Sequence, residues 1–185
     1  GDDHFNNAFR QIQIIKYMNW PIPTYAHIPL IHGEDGTKLS KRHGAENVMD
    51  YKQDGYEVEV LKNYLLRLGY SINDDKIYEL DNNTFNFKLD KINKSPSRFD
   101  LKKLSSMNAM HLRTQPLNNL LNKIKTKFNL NEKILKKLDF LLPDLIQRYT
   151  YLNEIEDDLL WLSDDFTGNL SNLDKRDLNL VFDVL

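Results

Sequence analysis

A basic cluster flanked by glycines is the part of this sequence best suited to chemistry. Lys38, Lys41 and Arg42 lie between Gly36 and Gly44. Reactions at phosphate groups develop negative charge on oxygen atoms, which mobile cationic side chains can stabilise. Glycine permits loop conformations that other residues resist. The segment is therefore predicted to be a phosphate-binding loop, although a basic cluster alone also fits a solvated turn.

The elements on either side must position this loop. Before it, residues 6–18 carry Phe9, Ile12 and Ile15 at helical spacing, and Pro21 lies just beyond the predicted end of this helix. Residues 25–31 are apolar and rich in β-formers, so they are predicted to form a buried strand that leads into the loop.

The sequence after the loop predicts mainly helices. Asp100 is predicted to cap one of them, with Leu101, Leu104 and Met107 facing inward, and Pro116 to begin the next. Residues 71–97 are polar and rich in turn formers, which indicates an irregular connector. The predicted helices span residues 48–54, 58–68, 101–112, 116–128, 134–141 and 145–162.

Composition narrows the class of protein. The chain has 185 residues, 41% of them hydrophobic, which suffices for an ordinary core. It has no cysteine, so disulfides and thiolate metal sites are excluded. No apolar run approaches the roughly 20 residues that cross a bilayer, and the signal-peptide pattern is absent from the sequence. These features predict a soluble cytoplasmic protein without a membrane partner.

Charge is distributed unevenly along the chain. Residues 88–137 carry 13 Lys and Arg against 3 Asp and Glu, whereas the segments before and after them are acidic. A basic segment of this kind can contact a nucleic-acid backbone, although a solvated lysine-rich surface fits equally well.

Several segments together resemble a known family. The sequence HIPLI at 27–31 followed by DGTKLSKRHG at 35–44 closely resembles the second signature loop of class I aminoacyl-tRNA synthetases, in the form found in bacterial-type glutamyl-tRNA synthetases. The sequence GDDH at 1–4, the segment 55–71, and the residues Phe99, Asp100, Lys103, Leu104 and Asn108 fit the same family in order. The resemblance is specific over residues 1–112 and is weaker beyond them, where Arg148 and Leu152 carry it.

The resemblance implies a two-step reaction in which ATP and L-glutamate form glutamyl-adenylate and pyrophosphate, and the glutamyl group then passes to the 3′ end of tRNA(Glu). Lys41, the second lysine of the signature, would stabilise charge on the pyrophosphate side, supported by Lys38 and Ser40. Arg42 would also contact ATP. Asp3 and His4 would line the adenosine pocket with the backbone near Leu30 and Ile31. Mg²⁺ is expected to accompany ATP.

The resemblance also implies a domain organisation. The fold class is expected to be mainly α, in three parts: the end of a Rossmann-like nucleotide-binding domain (1–44), a helical stem-contact domain (45–115), and the first part of a helical-bundle anticodon-binding domain (116–185). The basic segment would then contact the tRNA backbone. The candidate tRNA-binding residues are Lys91, Lys94, Lys102, Lys103, Lys123 and Lys125.

The family's first signature, HIGH or close to it, does not occur in this sequence. The chain is therefore expected to be a fragment that is inactive alone, because positioning ATP requires both loops. His4, His27, His32 and His43 lack metal-ligand spacing, so no metal site is expected. Three other interpretations are weighed. A glutaminyl-tRNA synthetase is disfavoured by the sequence HGA at 43–45 and by the helical continuation, and a shortened relative that modifies tRNA would lack the helices past residue 115. The third is a noncatalytic RNA-binding or scaffold protein that uses the basic face alone.

Overall fold

The computed structural model describes residues 1–39, 47–73, 76–80 and 85–162. Within these ranges the chain is mainly α-helical, which confirms the predicted fold class, and no helix in them is both long and apolar enough to span a membrane. The helices are α1 (Phe5–Tyr17), α2 (Val48–Gln53), α3 (Val58–Gly69), α4 (Leu101–Thr114), α5 (Leu117–Phe128), α6 (Glu132–Arg148) and α7 (Ile155–Leu162), and the strands are β1 (Ile31–His32) and β2 (Ser97–Arg98).

Three helices begin where local chemistry predicts. The carboxylate of Asp100 accepts a hydrogen bond from the backbone N–H of Lys103 at 3.0 Å and caps α4 as predicted. Pro116 lies directly before α5, and the side chain of Asn131 caps α6 by accepting from the N–H of Ile134 at 2.9 Å. One predicted orientation is wrong. Leu101, in the first turn of α4, is 44% exposed rather than directed inward.

The strand predicted over residues 25–31 is wrong in length and in burial. Only Ile31 and His32 form β1, and none of residues 25–31 is fully buried. A strand extends only as far as a neighbour satisfies its backbone hydrogen bonds. The partner of β1 is β2, which is also two residues long and pairs in parallel with Ile31 opposite Ser97.

The helix break predicted near residue 143 is also wrong. The helix α6 continues through Pro143, and the chain instead turns at residues 149–154 before α7. Proline removes one helical hydrogen bond and crowds the preceding turn. However, Leu138, Leu142 and Ile146 form a buried stripe on both sides of it, and their packing holds the helix together.

Buried side chains form two clusters. One lies between α2, α3 and α4 and includes Tyr56, Val60, Tyr64 and Leu104. The other joins the end of α4 to α5, α6 and α7. Helix α4 therefore takes part in both clusters. By contrast, Ala8 is the only buried residue of α1.

Candidate nucleotide-binding site

The chain just before α1 is fixed against residues 27 and 28. Asp2–His4 form one turn of 3-10 helix. The N–H of Asp2 donates to the carbonyl of Ile28 at 3.0 Å, and Nδ1 of His27 lies 3.1 Å from the carbonyl oxygen of Gly1. The edge-to-face contact of Phe5 with the His27 ring, at a centroid distance of 5.4 Å, adds apolar packing. Asp3 and His4 are thereby held beside the chain that leads into β1.

Residues 33–39, which we call the loop base, fold back onto β1. The N–H of Gly33 donates to the carbonyl of Thr37 at 2.9 Å, and the N–H of Leu39 donates to the carbonyl of Ile31 at 2.9 Å. Gly36 has a φ of +78°, which suits glycine at this turn. On its other side β1 is tied to the chain after β2, since the N–H of Phe99 donates to the carbonyl of His32 at 2.8 Å.

An ion pair joins the loop base to the turn before α1. Nζ of Lys38 lies 2.6 Å from Oδ2 of Asp3, and Nε2 of His4 lies 3.8 Å from the same oxygen. The hydrogen bond from Lys38 lowers the pKa of Asp3 below its ordinary value, although desolvation opposes the shift. This end of the molecule therefore places an ionised carboxylate beside a lysine of the predicted phosphate-binding segment.

The structure brings together five of the predicted ATP-site residues. Asp3 contacts both His4 and Lys38 as described above, and Leu30 and Ile31 are half-buried in the chain that leads into the loop base. Three further predicted residues, namely Ser40, Lys41 and Arg42, lie outside the described residues. Their roles remain predictions.

The predicted tRNA-binding lysines are all exposed. Lys91 lies in a 3-10 turn at Leu89–Lys91, Lys94 follows it, and Lys102 and Lys103 lie in the first turn of α4. Lys123 and Lys125 lie on α5. The ammonium of Lys123 contacts the carboxylate of Glu57 and, at 2.9 Å, the side-chain oxygen of Gln115. Lys123 is therefore less available to a phosphate than an exposed lysine without such partners.

Besides the ion pair between Asp3 and Lys38, two features of the described residues were not predicted. The first is the pairing of β1 with β2, because a strand of two residues carries no periodicity that a sequence could reveal. The second is a cluster at the start of α3 and the end of α4, where ligand atoms of Glu57, Glu59 and His111 lie within 4.8 Å of one another. Burial lowers the pKa of His111, while Glu57 opposes that shift. The ammonium of Lys123 already balances the charge of Glu57.

Comparison with known proteins identifies the class of this chain. Residues 1–106 match the sequence model of the class I tRNA synthetases (E and Q), catalytic domain. The chain belongs to this family. The match covers α1, the loop base, the pairing of β1 with β2 and the start of α4, which are the elements that build the site described above.

The individual relatives are glutamate–tRNA ligases. The chain is 45% identical over 172 residues to glutamate–tRNA ligase 2 of Zymomonas mobilis, covering 88% of this chain and 35% of that protein. It is 53% identical over 113 residues to glutamate–tRNA ligase 2 of Paramagnetospirillum magneticum, covering 61% of this chain and 24% of that protein. The chain therefore spans about a quarter to a third of the length of these relatives.

Solved structures agree on the fold. A glutamate tRNA ligase from Elizabethkingia meningosepticum, crystallised in complex with its amino acid, superposes with a TM-score of 0.70 at 22% identity. The superposition covers 97% of this chain and 39% of that chain. The arrangement of helices in this chain is thus found in a larger protein of the same family.

Proposed function

We propose that this chain is the part of a glutamate–tRNA ligase that carries the signature lysine loop and the helices following it. The observation that carries the proposal is the loop base, which is fixed beside Asp3 at the start of α1 and leads directly into the sequence KLSKR. Family membership and the names of the relatives support the reaction class. The family model includes both glutamate and glutamine enzymes. The individual relatives are named glutamate–tRNA ligases, which favours glutamate over glutamine as the amino-acid substrate.

In the proposed first step, a carboxylate oxygen of L-glutamate attacks the α-phosphorus of ATP. The bond from that phosphorus to the bridging oxygen breaks, and pyrophosphate leaves. Lys41 would stabilise the charge that develops on the leaving pyrophosphate, with Lys38 and Ser40 in support. In the second step, the terminal ribose hydroxyl of tRNA(Glu) attacks the glutamyl carbonyl and AMP leaves. These substrates suit a cytoplasmic enzyme.

The nucleotide would lie between the turn before α1 and the loop base, with Asp3 and His4 near the adenosine. Mg²⁺ would arrive with the phosphates of ATP. Two carboxylates at this end are already engaged, since Asp3 accepts from Lys38 and Asp35 accepts from the N–H and the hydroxyl of Thr37 at 2.9–3.0 Å. We therefore assign no protein ligand to the metal.

The test is glutamate-dependent exchange between ATP and pyrophosphate in the presence of tRNA(Glu). This chain is compared with the full-length protein that contains it, each with and without Lys41→Ala. We expect exchange only in the full-length protein, and a loss of roughly 100-fold on substitution, which is typical when one stabilising group is removed from a transition state.

Lys62→Ala is the matched control, because Lys62 is an exposed lysine of α3 outside the proposed site. It should retain wild-type exchange. Absence of exchange in the full-length wild-type protein would contradict the proposal and favour the second candidate, a noncatalytic RNA-binding module, for which the basic segment 88–137 is the supporting observation.

A further inference from the structure

The ion pair between Asp3 and Lys38 joins two parts of the chain that are 35 residues apart. At 2.6 Å it is a direct, charge-assisted hydrogen bond. The Asp3 side chain is 28% exposed and that of Lys38 is 59% exposed, so both remain accessible to a ligand. The ion pair thus connects the turn before α1 to the loop base without burying either charge.

Each side of this ion pair is itself held in place. On the Asp3 side, the turn is hydrogen-bonded to residues 27 and 28, as described above. On the Lys38 side, the backbone of Lys38 forms an isolated antiparallel β-bridge with His32, and the N–H of the neighbouring Leu39 donates to the carbonyl of Ile31. The ammonium therefore extends from a fixed backbone to a fixed carboxylate. An ion pair between two fixed backbones limits their relative movement, whereas one between mobile side chains does not.

We propose that Asp3 is a positioning residue for the signature loop, acting through its ion pair with Lys38 rather than through contact with ATP. This inference rests on the proposed function. Lys38 is the first residue of the sequence KLSKR, so the ion pair holds the point from which this sequence continues.

The two roles for Asp3 differ in their kinetic consequences. If Asp3 positions the loop for the reaction, its loss lowers kcat and leaves KM for ATP unchanged. If Asp3 instead contacts the adenosine of bound ATP, its loss raises KM. An exposed ion pair contributes modestly, so the expected decrease in kcat is about two- to five-fold. For the same reason, the variants should fold.

The experiment uses pyrophosphate exchange by the full-length protein in four variants: Asp3→Asn, Lys38→Met, the double variant Asp3→Asn with Lys38→Met, and the control Asp2→Asn. We expect Asp3→Asn to lower kcat when Lys38 is present and to have no further effect when Lys38 is already replaced by Met, because Asp3 acts through Lys38. Asp2→Asn should behave as wild type. A raised KM in Asp3→Asn, or losses of kcat that multiply in the double variant, would overturn the proposal.

A second measurement on the chain itself tests the ion pair independently of activity. Carbon-detected NMR titration of the Asp3 carboxylate should give a lowered pKa in wild type and a higher one in Lys38→Met, because the hydrogen bond from Lys38 is the largest cause of the lowering. An Asp3 pKa that is the same in both proteins would overturn the inference while leaving the proposed ligase function intact. Loss of exchange in full-length wild type would instead count against the proposed function.

Discussion

At the scale of single residues, two fully buried asparagines, Asn63 and Asn108, tie α3 to other segments of the chain. The Asn63 side chain donates to the carbonyl of Tyr78 and accepts from the N–H of the same residue, both at 2.8 Å. The side-chain oxygen of Asn108 accepts from the N–H of Glu57 at 2.9 Å, and its amide nitrogen donates to the carbonyl of Thr150. A buried amide is tolerated only when it is hydrogen-bonded. Asn108 therefore connects the start of α3 to the turn before α7, across the face of α4.

One residue of the same region should make stability depend on pH. Burial lowers the pKa of His111 below 6.5, opposed by Glu57 and Glu59 and assisted by Lys123. Between the folded and the unfolded pKa, the unfolded chain binds more protons, so stability is greatest above pH 6.5 and falls as the pH decreases. Urea unfolding at pH 7.5, 6.5 and 5.5 should show a steeper loss of unfolding free energy in wild type than in His111→Gln.

Met110→Gln is the control for this prediction, because Met110 is the neighbouring residue of α4, is 57% exposed and carries no titratable group. Its unfolding free energy should follow the wild-type pH dependence. The comparison concerns slopes, so any constant destabilisation by His111→Gln does not affect it. Parallel curves for wild type and His111→Gln between pH 7.5 and 5.5 would contradict the prediction.

At the scale of elements, the end of α2 depends on a glycine. Gly55 has a φ of +91°, and a Cβ there would lie 2.8 Å from Cγ of Asn153. The side chain of Asn153 is itself held by a hydrogen bond to the carbonyl of Gln53 at 2.8 Å. Gly55→Ala should lower the unfolding free energy by at least about 1 kcal/mol, measured by urea unfolding, because the left-handed conformation and the contact both oppose the methyl group.

Gly69→Ala provides a matched comparison within the neighbouring helix. Gly69 is the last residue of α3, and a Cβ there meets no atom within 4 Å. Alanine is the better helix former, so this variant should be unchanged or more stable, by up to about 1 kcal/mol. Equal destabilisation by the two substitutions would show that the backbone conformation at Gly55 is not the cause.

Some features of this fold could be predicted from the sequence and others could not. The starts of α4 and α5 follow from Asp100 and Pro116, because capping depends on residues a few positions apart. The pairing of β1 with β2 and the contact of Asp3 with Lys38 depend on segments distant in the sequence, and no local pattern encodes them. The sequence therefore identified both Lys38 and Asp3 as site residues but not their contact with each other. The continuous helix through Pro143 likewise depends on the packing of α6 against its neighbours.

At the scale of the whole molecule, the basic segment predicts salt-dependent binding of tRNA(Glu) by this chain. Neutralised phosphates release counterions, so the logarithm of the association constant should fall linearly with the logarithm of salt concentration. Lys94→Ala with Lys102→Ala should weaken binding and reduce the slope by about two. Filter binding at several salt concentrations measures both.

Lys123→Ala is the comparison for this measurement, since its ammonium already contacts Glu57. It should change the salt slope less than either Lys94→Ala or Lys102→Ala. Binding that does not vary with salt would contradict the assignment of this segment to the tRNA backbone.

The predicted domain boundaries at residues 44 and 115 remain predictions. Helix α4, which packs into both buried clusters, ends beside the second of these boundaries.

The pairing of Ile31 with Ser97 also sets an order of events during synthesis of the protein. These two positions are 66 residues apart. At about 5–20 residues per second, the strand before the lysine loop leaves the ribosome roughly 3–13 s before its partner does. Strand β1 cannot complete its hydrogen bonds until α2, α3 and the connector have followed it. The strand beside the loop base is therefore made before these helices and is completed only after them.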